Sequence, residues 1–411
     1  MLSKALTMGS PPPVLVEYQG GTLACRGLSG FTSELPIGAR YDVRDDCFRL
    51  EGYCYGTLIQ WLRAQSIPHE DKAAAYQKLS LEQRVWQKPF PYQQEALNCW
   101  KSAKRRGVVV LPTGAGKSHL AILTLLATQR STLVVVPTID LMSQWYENLR
   151  SAFDTRVGLI GGGENDLQDL CVTTYDSAYI QAERLGNRFC FVVYDECHHL
   201  PSESYAVAAR SCIAPYRLGL TATLERGDGR HLWLDELIGP VVFRKEITEL
   251  SGSYLADYET QTLYVELRPQ EREEYDEQRA LYKDFLSSNG IDMRGPSGFR
   301  QFIIESSRSS HGRQAFRAYR RQKELAMAAS AKMQLLDELL HRHRSERMFF
   351  FFFKQKTAYE ISRRFLVPII THHTKTKERA ALLSGFRSGV YGALVTSKVL
   401  NEGVDVPEAN I

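Results

Sequence analysis

Long apolar runs are missing from this 411-residue chain. No stretch approaches the roughly 20 consecutive apolar residues that a membrane-crossing helix needs, so no segment reads as one. The opening residues Met1-Leu2-Ser3-Lys4-Ala5 hold no adequate apolar core for an export signal, and a cytoplasmic protein is expected. Cysteine is sparse: eight residues are scattered with no Cys-x-x-Cys pair, which argues against a disulfide frame or a thiolate zinc site. Cys171, Cys190, Cys197 and Cys212 lie in or beside apolar segments and read as reduced core residues. A dominant charge is missing too. Lys and Arg total 51 against 47 Asp and Glu, a net +4 that is too mild to argue for a polyanionic partner by itself.

What is present describes a globular protein with ample core, 44% hydrophobic and 24% charged, and long enough for two or three domains. Residues 1–86 read as a small α+β module. Val14–Tyr18 and Thr22–Cys25 flank a Gly-Gly turn, Tyr41–Arg49 makes a second hairpin at paired aspartates, and Tyr55–Ala64 is a helix. Residues 87–248 alternate short apolar strands with helices, the pattern of a doubly wound parallel sheet. Strands are expected at 107–111, 132–136, 157–159, 170–173, 191–194 and 217–220. Residues 249–331 break the rhythm, with an alternating strand at Thr262–Leu267, a charged helix over 270–287 and a basic helical tract. From 332 to 411 the βα rhythm resumes as most of a second sheet. The fold class is therefore α/β, with two parallel-sheet lobes, the second incomplete, a small N-terminal module and a helical insertion between the lobes.

The basic tract includes Arg308, Arg313, Arg317, Arg320, Arg321, Lys323 and Lys332. A solvated helix face explains such a tract as readily as DNA or RNA binding, so it counts only in combination. The run Phe349–Phe353 reads as a buried strand. The residues after it, Lys354-Gln355-Lys356-Thr357-Ala358-Tyr359-Glu360, resemble a translated sequencing adapter, and no chemistry is drawn from 349–358.

Two loops carry the chemistry. Leu111-Pro112-Thr113-Gly114-Ala115-Gly116-Lys117-Ser118 follows the apolar run Val108-Val109-Val110. Gly114 and Gly116 let the backbone bend so that amide groups, including those of Thr113 and Ala115, can face phosphate oxygens. The following helix adds its positive N-terminal dipole. Lys117 can reach the β- and γ-phosphates, and the Ser118 hydroxyl is a magnesium ligand. Strict phosphate-loop spacing asks for glycine where Leu111 stands, and an ordinary strand-to-helix turn is the plain alternative. The second loop is Asp195-Glu196-Cys197-His198, after Phe191-Val192-Val193-Tyr194. Two adjacent carboxylates at a strand tip repel one another, and a divalent cation removes that cost. Asp195 is expected to hold magnesium and Glu196 to deprotonate the attacking water. An acidic cap followed by surface histidines is the alternative.

With these segments placed, the chain resembles superfamily 2 helicases of the DExH type, most closely the XPB-type branch with its prokaryotic relatives. The resemblance runs from about residue 87 to the end, with a weaker similarity of 14–62 to that branch's damage-recognition-like module. It implies an adenine-reading role for Gln93 in Pro91-Tyr92-Gln93, where an amide can pair with adenine N6 and N7. It implies backbone contacts to nucleic acid at Pro137, Thr138 and Thr174. It assigns His198 to couple the γ-phosphate to Thr221-Ala222-Thr223, and it makes Glu225-Arg226-Gly227-Asp228 the counterpart of a strand-parting Arg-Glu-Asp motif, with Arg226 on nucleic acid. Gly227 stands where that motif has its carboxylate. The resemblance further places Thr396, Gly403 and Asp405 in a late motif that touches nucleic acid and nucleotide. The insertion falls where this branch carries a thumb-like, backbone-gripping element. A Gln-x-x-Arg-x-Gly-Arg motif supplying arginine fingers is expected beyond Ile411.

The resemblance implies an ATP hydrolase using ATP and Mg2+ to open or travel along DNA, with 3′–5′ polarity and a role in repair. RNA is not distinguished by these residues. Two other functions stay open: the motor subunit of a restriction or defence system with a nuclease partner, and a non-processive ATP-gated DNA clamp or remodeller. A simple P-loop kinase or transporter ATPase needs neither the Thr-Ala-Thr element nor the late motif.

Overall fold

The computed structural model describes residues 13–28, 35, 38–84, 87–252, 254, 259–293, 295, 297–352, 354–397 and 409–411. They form two compact units, Met1–Tyr258 and Glu259–Ile411.

The first unit opens with a five-stranded sheet. Strands β1 (Val14–Gln19), β2 (Thr22–Arg26), β3 (Arg40–Asp42) and β4 (Cys47–Glu51) pair antiparallel in the order β3-β4-β2-β1. Strand β5 (His69–Asp71) closes the other edge parallel to β1. Helix α1 (Tyr55–Ala64) buries Leu58, Ile59 and Leu62, three residues that its 3.6-residue period brings to one face.

The sequence reading sets residues 1–86 apart, but the structure packs this module directly onto the sheet that follows. Ile213 completes the module's core. The Tyr18 hydroxyl donates to the carbonyls of Ala182 (3.2 Å) and Ser211 (3.0 Å), and Asn187 Nδ2 donates to Ala73 O at 3.0 Å. At Gly52 a Cβ would meet Ser211 O at 2.3 Å, so the two backbones touch where no side chain could fit.

The second part of this unit is an eight-stranded sheet, β13-β6-β12-β11-β7-β10-β8-β9. Its members are β6 (Arg106–Val110), β7 (Thr132–Val136), β8 (Val157–Gly161), β9 (Glu164–Asp166), β10 (Leu170–Thr174), β11 (Phe191–Asp195), β12 (Tyr216–Thr221) and β13 (Val241–Arg244). All pairings are parallel except β8 with β9. The valine-rich strands do not alternate with polar residues because helices cover both faces. Val109, Val134 and Val193 enter one core, while Val108, Val135 and Val192 enter the other. Helices α2 (Pro91–Ser102), α3 (Lys117–Thr128), α4 (Ile139–Ala152), α5 (Tyr175–Ile180), α6 (Ala182–Leu185), α7 (Glu203–Ser211), α8 (Trp233–Leu237) and α9 (Ile247–Leu250) complete the unit.

One buried charge stands out on β12. Arg217 is fully buried, and its guanidinium donates to the carbonyls of Ala214 (3.2 Å), Cys212 (2.6 Å) and Leu237. Each guanidinium nitrogen thus meets a backbone carbonyl oxygen, the kind of partner a buried arginine requires. All eight cysteines are free, and the four singled out above are buried.

The second unit begins with helices α10 (Pro269–Ser288), α11 (Gly298–Arg308), α12 (Ser310–Met327) and α13 (Ser330–Arg342). A three-stranded parallel sheet follows, built from β14 (Met348–Phe352), β15 (Ile369–Ile370) and β16 (Ala393–Ser397) in the order β14-β16-β15. Helices α14 (Gln355–Phe365) and α15 (Thr376–Arg387) connect its strands. The strand expected at Thr262–Leu267 is not formed. Its alternation finds no partner, and Leu263 and Tyr264 are 45% and 93% exposed. Among the described residues no helix is long and apolar enough to cross a membrane.

Candidate nucleotide and nucleic-acid site

Parallel pairing sets the site. Because β6, β7, β10, β11 and β12 run the same way and in close register, their carboxyl ends fall on one edge. Thr174 lies opposite Val136, Asp195 opposite Leu220, and Thr221 opposite Val110. Every loop that carries chemistry therefore leaves the sheet from that edge, where ligands of such sheets bind.

The glycine-rich loop spans from β6 to α3. Gly116 has φ +71° and caps α3 in the left-handed region, which costs an L residue roughly 1–2 kcal/mol. Gly114 has φ +81°, and Thr113 and Gly114 are exposed at the loop's tip. Ala115 is buried, and its carbonyl accepts from the Tyr92 hydroxyl at 2.9 Å. Gln93 holds the loop from beneath: Nε2 donates to the carbonyls of Ala115 and Gly116, both at 3.3 Å. Its Oε1 accepts from Phe90 N at 3.0 Å and faces His119 Nδ1 at 3.1 Å. The structure thus turns this amide inward, only 1% exposed, instead of leaving it open to a purine.

Across the edge, Asp195 ends β11 and Glu196 takes φ +45°. Trp145, on α4, donates its indole N–H to Asp195 Oδ2 at 2.7 Å, and Glu196 N donates to Oδ1 at 3.0 Å. The Tyr175 hydroxyl donates to the Asp195 carbonyl at 3.0 Å. Burial first, then the neighbouring Glu196 carboxylate, pushes the Asp195 carboxyl up to about 6, against the pull of the indole bond and Lys117. Lys117 Nζ lies 3.6 Å from Glu196 Oε1 and 3.4 Å from Leu111 O. His198 Nδ1 is 2.9 Å from Thr221 Oγ1 and 3.5 Å from Glu196 Oε2, and Thr221 Oγ1 is 3.4 Å from the same carboxylate oxygen. The two buried carboxylates lie side by side next to Lys117, with the half-buried Ser118 hydroxyl on the glycine-rich loop, and these oxygen donors fit a hard divalent cation.

A curated relative, the DNA 3'-5' translocase XPB2 of Sulfurisphaera tokodaii, is 39% identical over 386 residues, covering 87% of this chain and 88% of the relative. The chain belongs to the XPB-type branch of superfamily 2, a family of ATP-dependent DNA helicases and translocases. Three family models match parts of it. Residues 16–73 match the Xeroderma pigmentosum group B helicase damage recognition domain, 87–226 the Type III restriction enzyme, res subunit, and 331–411 the helicase conserved C-terminal domain. The DNA 3'-5' helicase XPB of Mycobacterium tuberculosis is 27% identical, and 63% of it is covered by 91% of this chain. The putative DNA 3'-5' helicase Rad25 of Halobacterium salinarum is 28% identical over 78% of this chain, which spans 48% of it. The chain thus spans less than two thirds of these last two. Among solved structures, a Saccharomyces cerevisiae Dbp5 variant bound to RNA and ADP BeF3 shares the fold at 16% identity, with a TM-score of 0.50 over 79% of this chain and 73% of that one.

The remaining candidate residues differ in their surroundings. Pro137 and Thr138 are half-buried, and Thr138 caps α4 by accepting from Leu141 N at 3.2 Å. Thr174 caps α5 in the same way, accepting from Ser177 N at 3.2 Å. Both threonines thus aim helix N-termini from the sheet edge. Arg226 forms a two-bond pair with Asp228 (3.0 and 2.8 Å) and donates to His198 O at 2.6 Å, which ties this loop to the DExH turn. Thr396 requires a correction. It sits on the central strand β16, is fully buried, and donates its hydroxyl to Ser397 O at 2.8 Å, so it is not presented to a ligand surface. Gly403 and Asp405 lie outside the described residues. Sequence reading missed the links of Trp145 and Tyr175 to Asp195, because no spacing rule joins residues 50 and 20 positions apart.

Proposed function

We propose that this chain is an ATP-driven DNA motor that opens duplex or translocates with 3′–5′ polarity in DNA repair. The reading rests on the convergence of Lys117, Asp195, Glu196, His198 and Thr221 on one sheet edge. Lys117 would leave Glu196 for the β- and γ-phosphates, freeing that carboxylate to orient a water and accept its proton. The α3 N-terminus and the amides of Thr113 to Gly116 would cradle phosphate oxygens. Asp195 and Ser118 would hold Mg2+, which when bound neutralises phosphate charge. His198 bridges Glu196 and Thr221, so a change at the phosphate would be felt by the 221–228 loop that carries Arg226. Thr138 and Thr174 would present capped helix N-termini to a phosphate backbone.

The working division is an N-terminal module (1–86), a first lobe (87–248), an insertion (249–331) and a second lobe (332–411), in a cytoplasmic protein. The names of the relatives favour DNA over RNA as the track. The decisive test is ATPase activity with and without single-stranded DNA. Lys117→Ala and Glu196→Gln should each abolish the DNA-stimulated rate, and full turnover in both variants would overturn the assignment. A second reading, the non-processive clamp, draws on Gly227 standing in place of a carboxylate. It predicts strand displacement that fails beyond a few base pairs regardless of ATP.

A further inference from the structure

The loop that carries Arg226 has little packing at its tip. A Cβ at Gly227 or Gly229 would meet nothing within 4 Å, so polar tethers set where that turn sits. They reach it from two sides. On one side Arg226 donates to His198 O at 2.6 Å, and Glu225 pairs with Arg244 of β13 at 2.5 Å. On the other, Asp228 accepts from Arg230 N at 3.1 Å, and the Arg230 guanidinium lies 3.2 Å from Glu203 on α7. That guanidinium also sits over the Trp233 ring, 5.3 Å from its centroid.

Trp233 opens α8, and it is shared. Arg210, in the last turn of α7, lies over the same ring at 5.9 Å. Among the described residues the other five cation–ring pairs each place one cation on one ring, so two guanidiniums on a single indole are particular to this place. Arg210 Nε is in turn 3.4 Å from Glu236 and 3.9 Å from Glu51, the last residue of β4. Contacts therefore run from the DExH turn through Arg226, Asp228, Arg230, Trp233 and Arg210 to the N-terminal module. Single exposed ion pairs stabilise little. Here one half-buried ring joins them, so its loss would release both guanidiniums at once.

We propose that Trp233 and Arg210 are positioning residues for strand parting, which fix the Arg226–Asp228 loop against the N-terminal module. The indole is the strut and Glu51 its anchor. Both residues lie away from the phosphate loop and act only through the place that they give Arg226 and Asp228. The inference rests on the DNA-motor reading above and adds to it a tie between the leading module and the loop.

The test is hydrogen–deuterium exchange on the full chain, paired with fork opening. Trp233→Leu and Arg210→Gln should each speed exchange of the 226–230 amides about fivefold. Trp233→Phe keeps a ring face and should stay within about twofold of the parent. Glu51→Gln, on the module, should speed the same distant amides about twofold, which a purely local role for Glu51 would not do. Exchange in α2 should stay unchanged in all four variants. On a forked duplex with an aminopurine reporter at the junction, Trp233→Leu and Arg210→Gln should lower opening per bound chain about fivefold while the fork Kd stays put. Unchanged loop exchange in Trp233→Leu, a Phe variant as fast as the Leu one, equal acceleration in α2, or faster loop exchange with unaltered fork opening would each overturn the strut. A parent chain that binds no forked DNA would overturn the motor reading, and the exchange arm, read without DNA, still decides whether the strut exists.

Discussion

Trp145 donates its indole N–H to Asp195 at 2.7 Å, so the helix capped by Thr138 is hydrogen-bonded to the carboxylate proposed to hold magnesium. A segment assigned by resemblance to the nucleic-acid backbone thereby reaches the nucleotide site without an intermediary. Trp145→Phe keeps the ring and removes the donor. It should cost about 2 kcal/mol, since a bond to a buried charged acceptor is lost. It should also reduce the DNA-stimulated ATPase rate more than the basal one. Steady-state assays at saturating and zero DNA check this, and an unchanged stimulation ratio would dissolve the coupling.

The Asp195 carboxyl inverts the usual carboxylate rule. Its value of about 6 lies above the ordinary 3.8, so the folded chain binds the proton more tightly than the unfolded one. Stability from this group is then greatest at low pH and is lost as pH rises through about 6, by up to roughly 3 kcal/mol. Without nucleotide or metal, the site's contribution to the unfolding free energy should grow between pH 7 and pH 5. Mg2+ affinity should fall about tenfold per pH unit below 6, because the ion must displace that proton. Calorimetric titrations at pH 5, 6 and 7 measure it, and a flat affinity would refute Asp195 as the ligand.

At Gly116 two penalties can be separated. A Cβ there would meet Gln93 Nε2 at 2.5 Å, and the backbone is left-handed at φ +71°. Gly116→Ala should therefore destabilise by more than the roughly 1–2 kcal/mol of backbone strain. Adding Gln93→Ala clears the contact but leaves the strain, so the double variant should recover only part of the loss against Gln93→Ala alone. Denaturant titrations of the four chains provide the cycle.

Gly227 offers the converse case. A Cβ at that position meets nothing within 4 Å. Gly227→Glu should leave stability within about 0.5 kcal/mol, as surface changes usually do. It should lengthen the duplex displaced per binding event if the missing carboxylate limits strand parting. Strand-displacement assays over a series of duplex lengths decide the point.

Much of the fold was legible because its signals are local. Valine runs such as Thr132–Val136 are strands in any setting that covers both faces, and the Tyr55–Ala64 helix shows its apolar face at the 3.6 period. The failures have a common cause, which is that partners are not written in local pattern. Thr262–Leu267 alternates like a strand yet has nothing to pair with, while Val241–Arg244 becomes a strand by lying along β6. At the site, residue types and order were readable, but the inward turn of Gln93 and the burial of Thr396 depend on what packs around them. The domain seam was invisible for the same reason, since Tyr18 meets Ser211 across 193 positions of chain.

That seam has a mechanical consequence. With Gly52 pressed against the Ser211 backbone and Tyr18 clasping two carbonyls at the end of α7 and the start of α6, there is no slack for a hinge between the small sheet and the large one. Whatever the leading module touches is carried in lockstep with the phosphate loop, so the two can be treated as a single lever arm.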